Sequence, residues 1–250
     1  MHFFTILLLL LPLLPGNAQE PSYSIPSWTY ANEAPVEVRS LPSRALGRTV
    51  RYTVLQTGPD AEHLIYLTDG QKLVENGFWA QIEELTRRKI VPPARYVLVS
   101  SIDATGTDHR NDDFFCNAEF LRFFVEELLP TVEGDRPVER SRRSLVGVSF
   151  GGLNAAWFAA MDAPFGNYGL LSPITYPRRE ELSRRIVFGP QSGQRFFVST
   201  GRYDAEKYVD QLVALYAGME VETTVLRTEG GHDFTNWSAQ LPDLLNFLQQ

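Results

Sequence analysis

The chain has little cysteine, little histidine and no excess of positive charge, and each shortage removes a class of function. Cys116 is the only cysteine among 250 residues, so no intrachain disulfide can form in any redox compartment. It sits in Phe114-Phe115-Cys116-Asn117, where a small buried hydrophobe is the better reading than a reactive thiol. The four histidines, at 2, 63, 109 and 232, are scattered without ligand spacing, which gives a bound metal or a metal cofactor no support. With 23 Lys and Arg against 30 Asp and Glu the net charge is −7, and the basic footprint that nucleic-acid binding needs is missing.

Long apolar runs are also scarce. The exception is residues 3–14, broken by Pro12 and too short for the roughly 20 residues that cross a bilayer. Gly16 and Ala18 then place small residues before Gln19, so residues 1–18 read as a secretory signal peptide, although its first residues carry no Lys or Arg. The expected location is the periplasm or the exterior, with no membrane association once the leader is removed. Residues 19–35, with Pro21, Pro26 and Pro35, read as an extended arm or linker. Residues 36–250 have ordinary globular proportions and a length suited to one domain.

Within that domain strand and helix patterns alternate. Residues 36–41 and 49–55 read as an antiparallel lead-in pair, and residues 63–67, 96–102, 145–148, 168–171, 195–199 and 221–226 as further strands. Between them residues 78–89, 117–129, 153–161, 180–186 and 205–216 have helical spacing, with Asn117 as an N-cap and Pro130 as a stop. Residues 241–248 form a closing helix. This alternation predicts an α/β fold: a mostly parallel sheet with helices on both faces, whose sites lie at the carboxyl ends of the strands.

Gly147-Val148-Ser149-Phe150-Gly151 matches G-x-S-x-G in the required setting, after an apolar strand and before a helical segment. That turn exposes a serine for nucleophilic attack, and its glycines leave room where strand and helix meet. A hydroxyl needs a base, and His232 is the only histidine downstream of Ser149. The acid that orients it is chosen among nine carboxylates. Asp204, just past the penultimate strand, fits best, with N-capping of the next helix as its competing role; Glu206 is the runner-up. The oxyanion of an attacked ester calls for the Phe150 N–H and a second amide from the loop after residue 67, either Gly70 or Gln71. Trp79, Trp157 and Trp237 are candidates to line a pocket, with core packing the better reading for Trp157.

These pieces stand in a recognisable order. Leu67-Thr68-Asp69-Gly70 is followed by residues 92–99, Ile102-Asp103, His109-Arg110, residues 116–120, residues 127–130, the serine motif, Gly230-Gly231-His232-Asp233 and Trp237. Over residues 62–250 this set resembles the enterochelin esterases, of the esterase D-like group of α/β-hydrolases. The resemblance implies an α/β-hydrolase fold and a Ser-acid-His esterase whose small-molecule substrate is the trilactone of a catecholate siderophore, possessing a ferric ion as cargo. It carries over Ser149 and His232, puts Asp204 where the family has Asp or Glu, and puts Arg110 at the family's arginine near the substrate. An always-cationic guanidinium suits an anionic catecholate, while a solvated loop arginine is the alternative. Arg178 and Arg179 are further candidates of the same kind.

The chain departs from the cytoplasmic enterochelin esterases in having a leader where those carry an N-terminal β-domain, which makes periplasmic single-domain members the nearer comparison. The same departure admits feruloyl or acetyl carbohydrate esterases and acyltransferases of the group. A non-catalytic binding protein is opposed by the retained serine, histidine and acid.

Overall fold

The computed structural model describes residues 36–189, 193–219 and 221–250; the expected signal peptide and arm lie outside the described residues. Eight strands form one sheet: β1 (Arg39–Ser43), β2 (Arg48–Gln56), β3 (Leu64–Leu67), β4 (Arg95–Val99), β5 (Arg143–Val148), β6 (Asn167–Leu171), β7 (Arg195–Tyr203) and β8 (Glu222–Gly231). Their order is β1-β2-β4-β3-β5-β6-β7-β8; β1 and β2 join antiparallel, β2 meets β4 antiparallel, and every later pairing is parallel. The lead-in pair and the parallel sheet are as the patterning predicts.

The middle strands are apolar throughout because both their faces are covered. Against one face pack α1 (Gly70–Glu75), α2 (Phe78–Arg87) and α10 (Leu241–Leu248), around Ile65, Leu67, Ile82, Val146 and Leu244. Against the other pack α4 (Ala118–Arg122), α6 (Phe150–Ala160), α7 (Arg179–Phe188) and α8 (Glu206–Ala217), around Tyr66, Phe120, Phe124, Phe158 and Val198. The remaining α-helices among the described residues are α3 (Arg110–Phe114), α5 (Leu129–Glu133) and α9 (Phe234–Ala239). No helix among the described residues is long and apolar enough to cross a membrane.

Expected boundaries move, two of them away from the carboxyl ends of β7 and β8. Residues 96–102 are not strand to the end: pairing stops at Val99, where the Ser100 hydroxyl accepts the Ile102 N–H and donates to the Ile102 carbonyl, turning the chain. Nor does Pro130 stop the helix that Asn117 caps. The chain runs from α4 through a π-helical turn, Phe123–Leu128, into α5, with the Leu129 N–H bonded to the Phe124 carbonyl five residues back. The wider turn relieves the clash between a proline ring and the preceding turn, so the helix continues.

At its start β5 is tied down by charge. Arg143 pairs with Glu133 at 2.6 Å with both side chains nearly buried, and it also donates to the carbonyls of Val138 and Pro164. Removing one member of such a pair strands the other without water. Arg143→Ala is therefore expected to lower unfolding free energy by about 3–5 kcal/mol, measured by urea denaturation; a change within error of zero would show that Glu133 finds another partner.

Candidate active site

At the carboxyl end of β5 the chain reverses within one residue. Ser149 has φ 58 and ψ −115, a conformation that costs a non-glycine residue about 1–3 kcal/mol and that its surroundings enforce. Its N–H donates to the Leu171 carbonyl at 2.9 Å, and its own carbonyl accepts from Gly152 and Ile174 at 3.0 and 3.1 Å. The flanking glycines are sterically required. A Cβ on Gly147 would lie 1.9 Å from the Gly151 carbonyl oxygen, and one on Gly151 would lie 2.6 Å from Thr68 Oγ1. Ser149 occupies the N-cap position of α6 yet its side chain makes no capping bond, which leaves Oγ available.

His232 meets it there. Nε2 of His232 is 2.9 Å from Ser149 Oγ, and Nδ1 is hydrogen-bonded to Asp204 Oδ1. Both partners arrive by strand extension: β7 runs to Tyr203 and β8 to Gly231, beyond the ends expected at 199 and 226, so Asp204 and His232 follow the last paired residues. Gly201 and Gly230 let these ends approach, since a Cβ on Gly201 would be 2.1 Å from the Gly230 carbonyl oxygen.

The competing roles of the acids resolve in the same region. Ala205, not Asp204, is the N-cap of α8, so Asp204 is not occupied by capping. Glu206 points away to Arg227 on the exposed surface at 3.4 Å. The Asp204 side chain is fully buried, which opposes its charge, but hydrogen bonds from His232 and Ser172 outweigh that and hold its carboxyl below the ordinary value. Ser172 had no signal in the sequence. It follows β6, is buried with φ 46, bonds Asp204 Oδ2 through its hydroxyl and accepts Trp237 Nε1–H at 2.8 Å. Of the three tryptophans singled out, Trp237 alone reaches the site, edge-on to His232 with ring centroids 5.0 Å apart. Trp79 packs on Tyr96 and Trp157 lies in the core.

On the other side of Ser149 stands the loop after β3. The Thr68 N–H bonds the Val146 carbonyl at 3.1 Å, pinning the loop to β5. The Gln71 side chain is buried and locked to Ser101, donating to its hydroxyl at 2.9 Å and accepting its N–H at 3.2 Å. Gly70 and Gln71 open α1 and Phe150 opens α6, so none of their N–H groups has an intrahelical carbonyl to bond, and none makes a backbone bond elsewhere among the described residues.

Arg110 is not a solvated loop arginine. Its Nε donates to both carboxylate oxygens of buried Asp69 at 2.7 and 2.9 Å, and Nη2 lies 3.4 Å from the Val148 carbonyl oxygen. The guanidinium stands over the rings of Phe114 and Phe150, 5.4 and 5.3 Å from their centroids. Arg178 and Arg179 are exposed at the start of α7. Half-buried Cys116 packs against the core, and burial pushes its thiol up to about 12, which agrees with an inert small hydrophobe.

A hydroxyl, an imidazole and a carboxylate in series can move a proton off the hydroxyl as it attacks a carbonyl carbon. Relatives of the chain are esterases. A family model described as "Putative esterase" matches residues 43–226. The chain belongs to this esterase family. Among curated proteins, the esterase-family chain is 34% identical over 156 residues to the iron(III) enterobactin esterase of Escherichia coli K12, covering 58% of this chain and 36% of that one. It is 28% identical over 211 residues to the iron(III) salmochelin esterase of Escherichia coli O6:H1, covering 74% and 50%. The chain thus spans at most half the length of these two relatives. Among solved structures, the enterobactin esterase FES of Shigella flexneri, in the presence of 2,3-dihydroxy-N-benzoyl-serine, superposes with a TM-score of 0.72 at 29% identity, covering 88% of this chain and 60% of that one. The α/β-hydrolase fold and the resemblance read from the sequence are both borne out.

The two acids make opposite predictions. Asp204→Asn leaves the imidazole without its orienting charge and is expected to lower turnover of a p-nitrophenyl ester by about 10⁴-fold, while Glu206→Gln stays close to wild type. The reverse ranking in initial-rate measurements would transfer the role to Glu206.

Proposed function

We propose that the protein is a serine carboxylic-ester hydrolase acting on the backbone esters of catecholate siderophores through an acyl-enzyme. The observation that carries the reading is the unbroken hydrogen-bond series from Ser149 through His232 to Asp204. In the first half-reaction His232 Nε2 takes the Ser149 proton as Oγ attacks the ester carbonyl, and Asp204 stabilises the imidazolium that results. The oxyanion is met by the Phe150 N–H at the positive end of α6 and by the N–H of Gln71 or Gly70. His232 then returns the proton to the departing alcohol oxygen, leaving an ester on Ser149. Water, deprotonated by the same imidazole, attacks that ester; the acid product leaves and the Ser149 hydroxyl is restored.

The siderophore substrate is supported by the enterobactin and salmochelin esterases among the relatives and by Arg110 beside the serine turn. Asp69 balances the Nε edge of the guanidinium, and the aromatic rings of Phe114 and Phe150 restrict its rotation, so the cation is held ready for an anionic catecholate at small entropic cost. Residues 36–250 act as one catalytic domain in this reading, and residues 1–18 direct it to the periplasm or the exterior.

A fluorophosphonate probe is expected to label wild type and to leave Ser149→Ala unlabelled; equal labelling would take Ser149 out of the mechanism. Ferric enterobactin and a feruloylated oligosaccharide, each incubated with the protein and followed by chromatography, separate the substrate classes. Hydrolysis of the feruloyl ester alone sinks the siderophore reading and favours a carbohydrate esterase. Amino-terminal sequencing of protein exported by a bacterial host is expected to begin at Gln19, and a retained Met1 refutes the leader.

A further inference from the structure

We propose that Ser172 is a positioning residue for the acid, itself oriented by Trp237, so that a relay Trp237-Ser172-Asp204-His232 delivers a fixed carboxylate to the base. The inference rests on the triad reading above. It begins with a backbone anomaly. Ser172 is fully buried at φ 46, in the left-handed region where a Cβ is disfavoured, and its N–H is bonded to the Ser199 carbonyl at 2.9 Å. Glycine would take that conformation without strain. What serine adds there is a hydroxyl.

The direction of that hydroxyl's proton is settled by its neighbours. An indole N–H can only donate, so Trp237 Nε1, 2.8 Å away, occupies a lone pair of Ser172 Oγ and the single hydroxyl proton goes to Asp204 Oδ2. Asp204 Oδ1 faces His232 Nδ1. Apart from Ser172, the one hydrogen-bond partner of Oδ2 among the described residues is the Gly201 N–H, at a long 3.4 Å. Without Ser172 the carboxylate would be gripped at one oxygen and free to turn about its terminal torsion, taking the acceptor for Nδ1–H with it. The hydroxyl therefore removes rotational freedom from the acid, an effect felt in the chemical step and not in substrate binding.

Trp237 does two things with one ring. Its N–H orients Ser172, and its ring stands perpendicular to that of His232, so acid and base are referenced to the same side chain.

Ser172→Gly separates positioning from structure, because it deletes the hydroxyl while easing the backbone. With a p-nitrophenyl ester the expected result is a kcat lower by roughly 10- to 100-fold, the scale on which small misplacement of reacting groups acts. KM should change little, Tm should not fall, and the low-field Nδ1 proton resonance of His232 should broaden. A kcat close to wild type overturns the proposal, as does a loss of kcat that tracks a lowered Tm. Trp237→Phe keeps an aromatic ring beside His232 and removes the donor. It is expected to slow wild type by a larger factor than it slows Ser172→Gly, since its N–H acts through Ser172; equal factors in both backgrounds contradict the relay. Fluorophosphonate labelling distinguishes the two levels of inference. Wild type that does not react overturns the triad and the relay together, whereas wild type and Ser172→Gly reacting at one rate overturns the relay alone.

Discussion

The site depends on a steric constraint: β5 must become α6 within a single residue. Only with Gly147 and Gly151 side by side can strand and helix close on each other, and only in that closed form is Ser149 driven into its unusual backbone conformation. Everything around the serine is arranged to hold the turn. Leu171 and Ile174 bond its backbone from the β6 side, Thr68 braces Gly151 from the β3 side, and the Arg143–Glu133 pair anchors the far end of the strand. The strain at Ser149 is local, and the contacts that oppose its release are spread over three strands, β3, β5 and β6.

Much of this was legible in the sequence because it is expressed in residue types with few alternative uses. A glycine-flanked serine between an apolar strand and a helix, a lone downstream histidine and an aspartate after the penultimate strand each carry chemistry that patterning can detect. The parallel sheet was legible for the same reason, since doubly covered strands are apolar without interruption. Ser172 was not legible. Its importance arises from a positive φ and from two partners 32 and 65 residues away, neither of which leaves a local trace. The run through Pro130 was hidden by an exception to a good rule: a π-helical turn accommodates a proline that an α-helix would reject. The extra lengths of β7 and β8 escaped because their last residues are glycine, arginine, tyrosine and glutamate, which alternation alone does not mark as strand.

Charge is handled differently on the two sides of the serine. Towards β7 and β8 a buried carboxylate is kept ionised by hydrogen bonds, and one of its oxygens faces the His232 ring. Towards β3 a buried carboxylate is matched to a guanidinium, and the pair sits against aromatic rings. The first arrangement holds negative charge against an imidazole. The second holds a cation close to the same serine without leaving its counter-charge exposed.

The strand lengths have a mechanical corollary. β3, β4, β5 and β6 have four to six residues, while β7 and β8 have nine and ten. Asp204 and His232 therefore ride together on a two-stranded tongue that overhangs the edge of the sheet, while Ser149 is seated in its interior. That tongue is not free at its tip: Ser172, just past β6, is hydrogen-bonded to Asp204 and to Trp237 of α9, so the longest strands are tied back to the shorter ones at the point where they overhang.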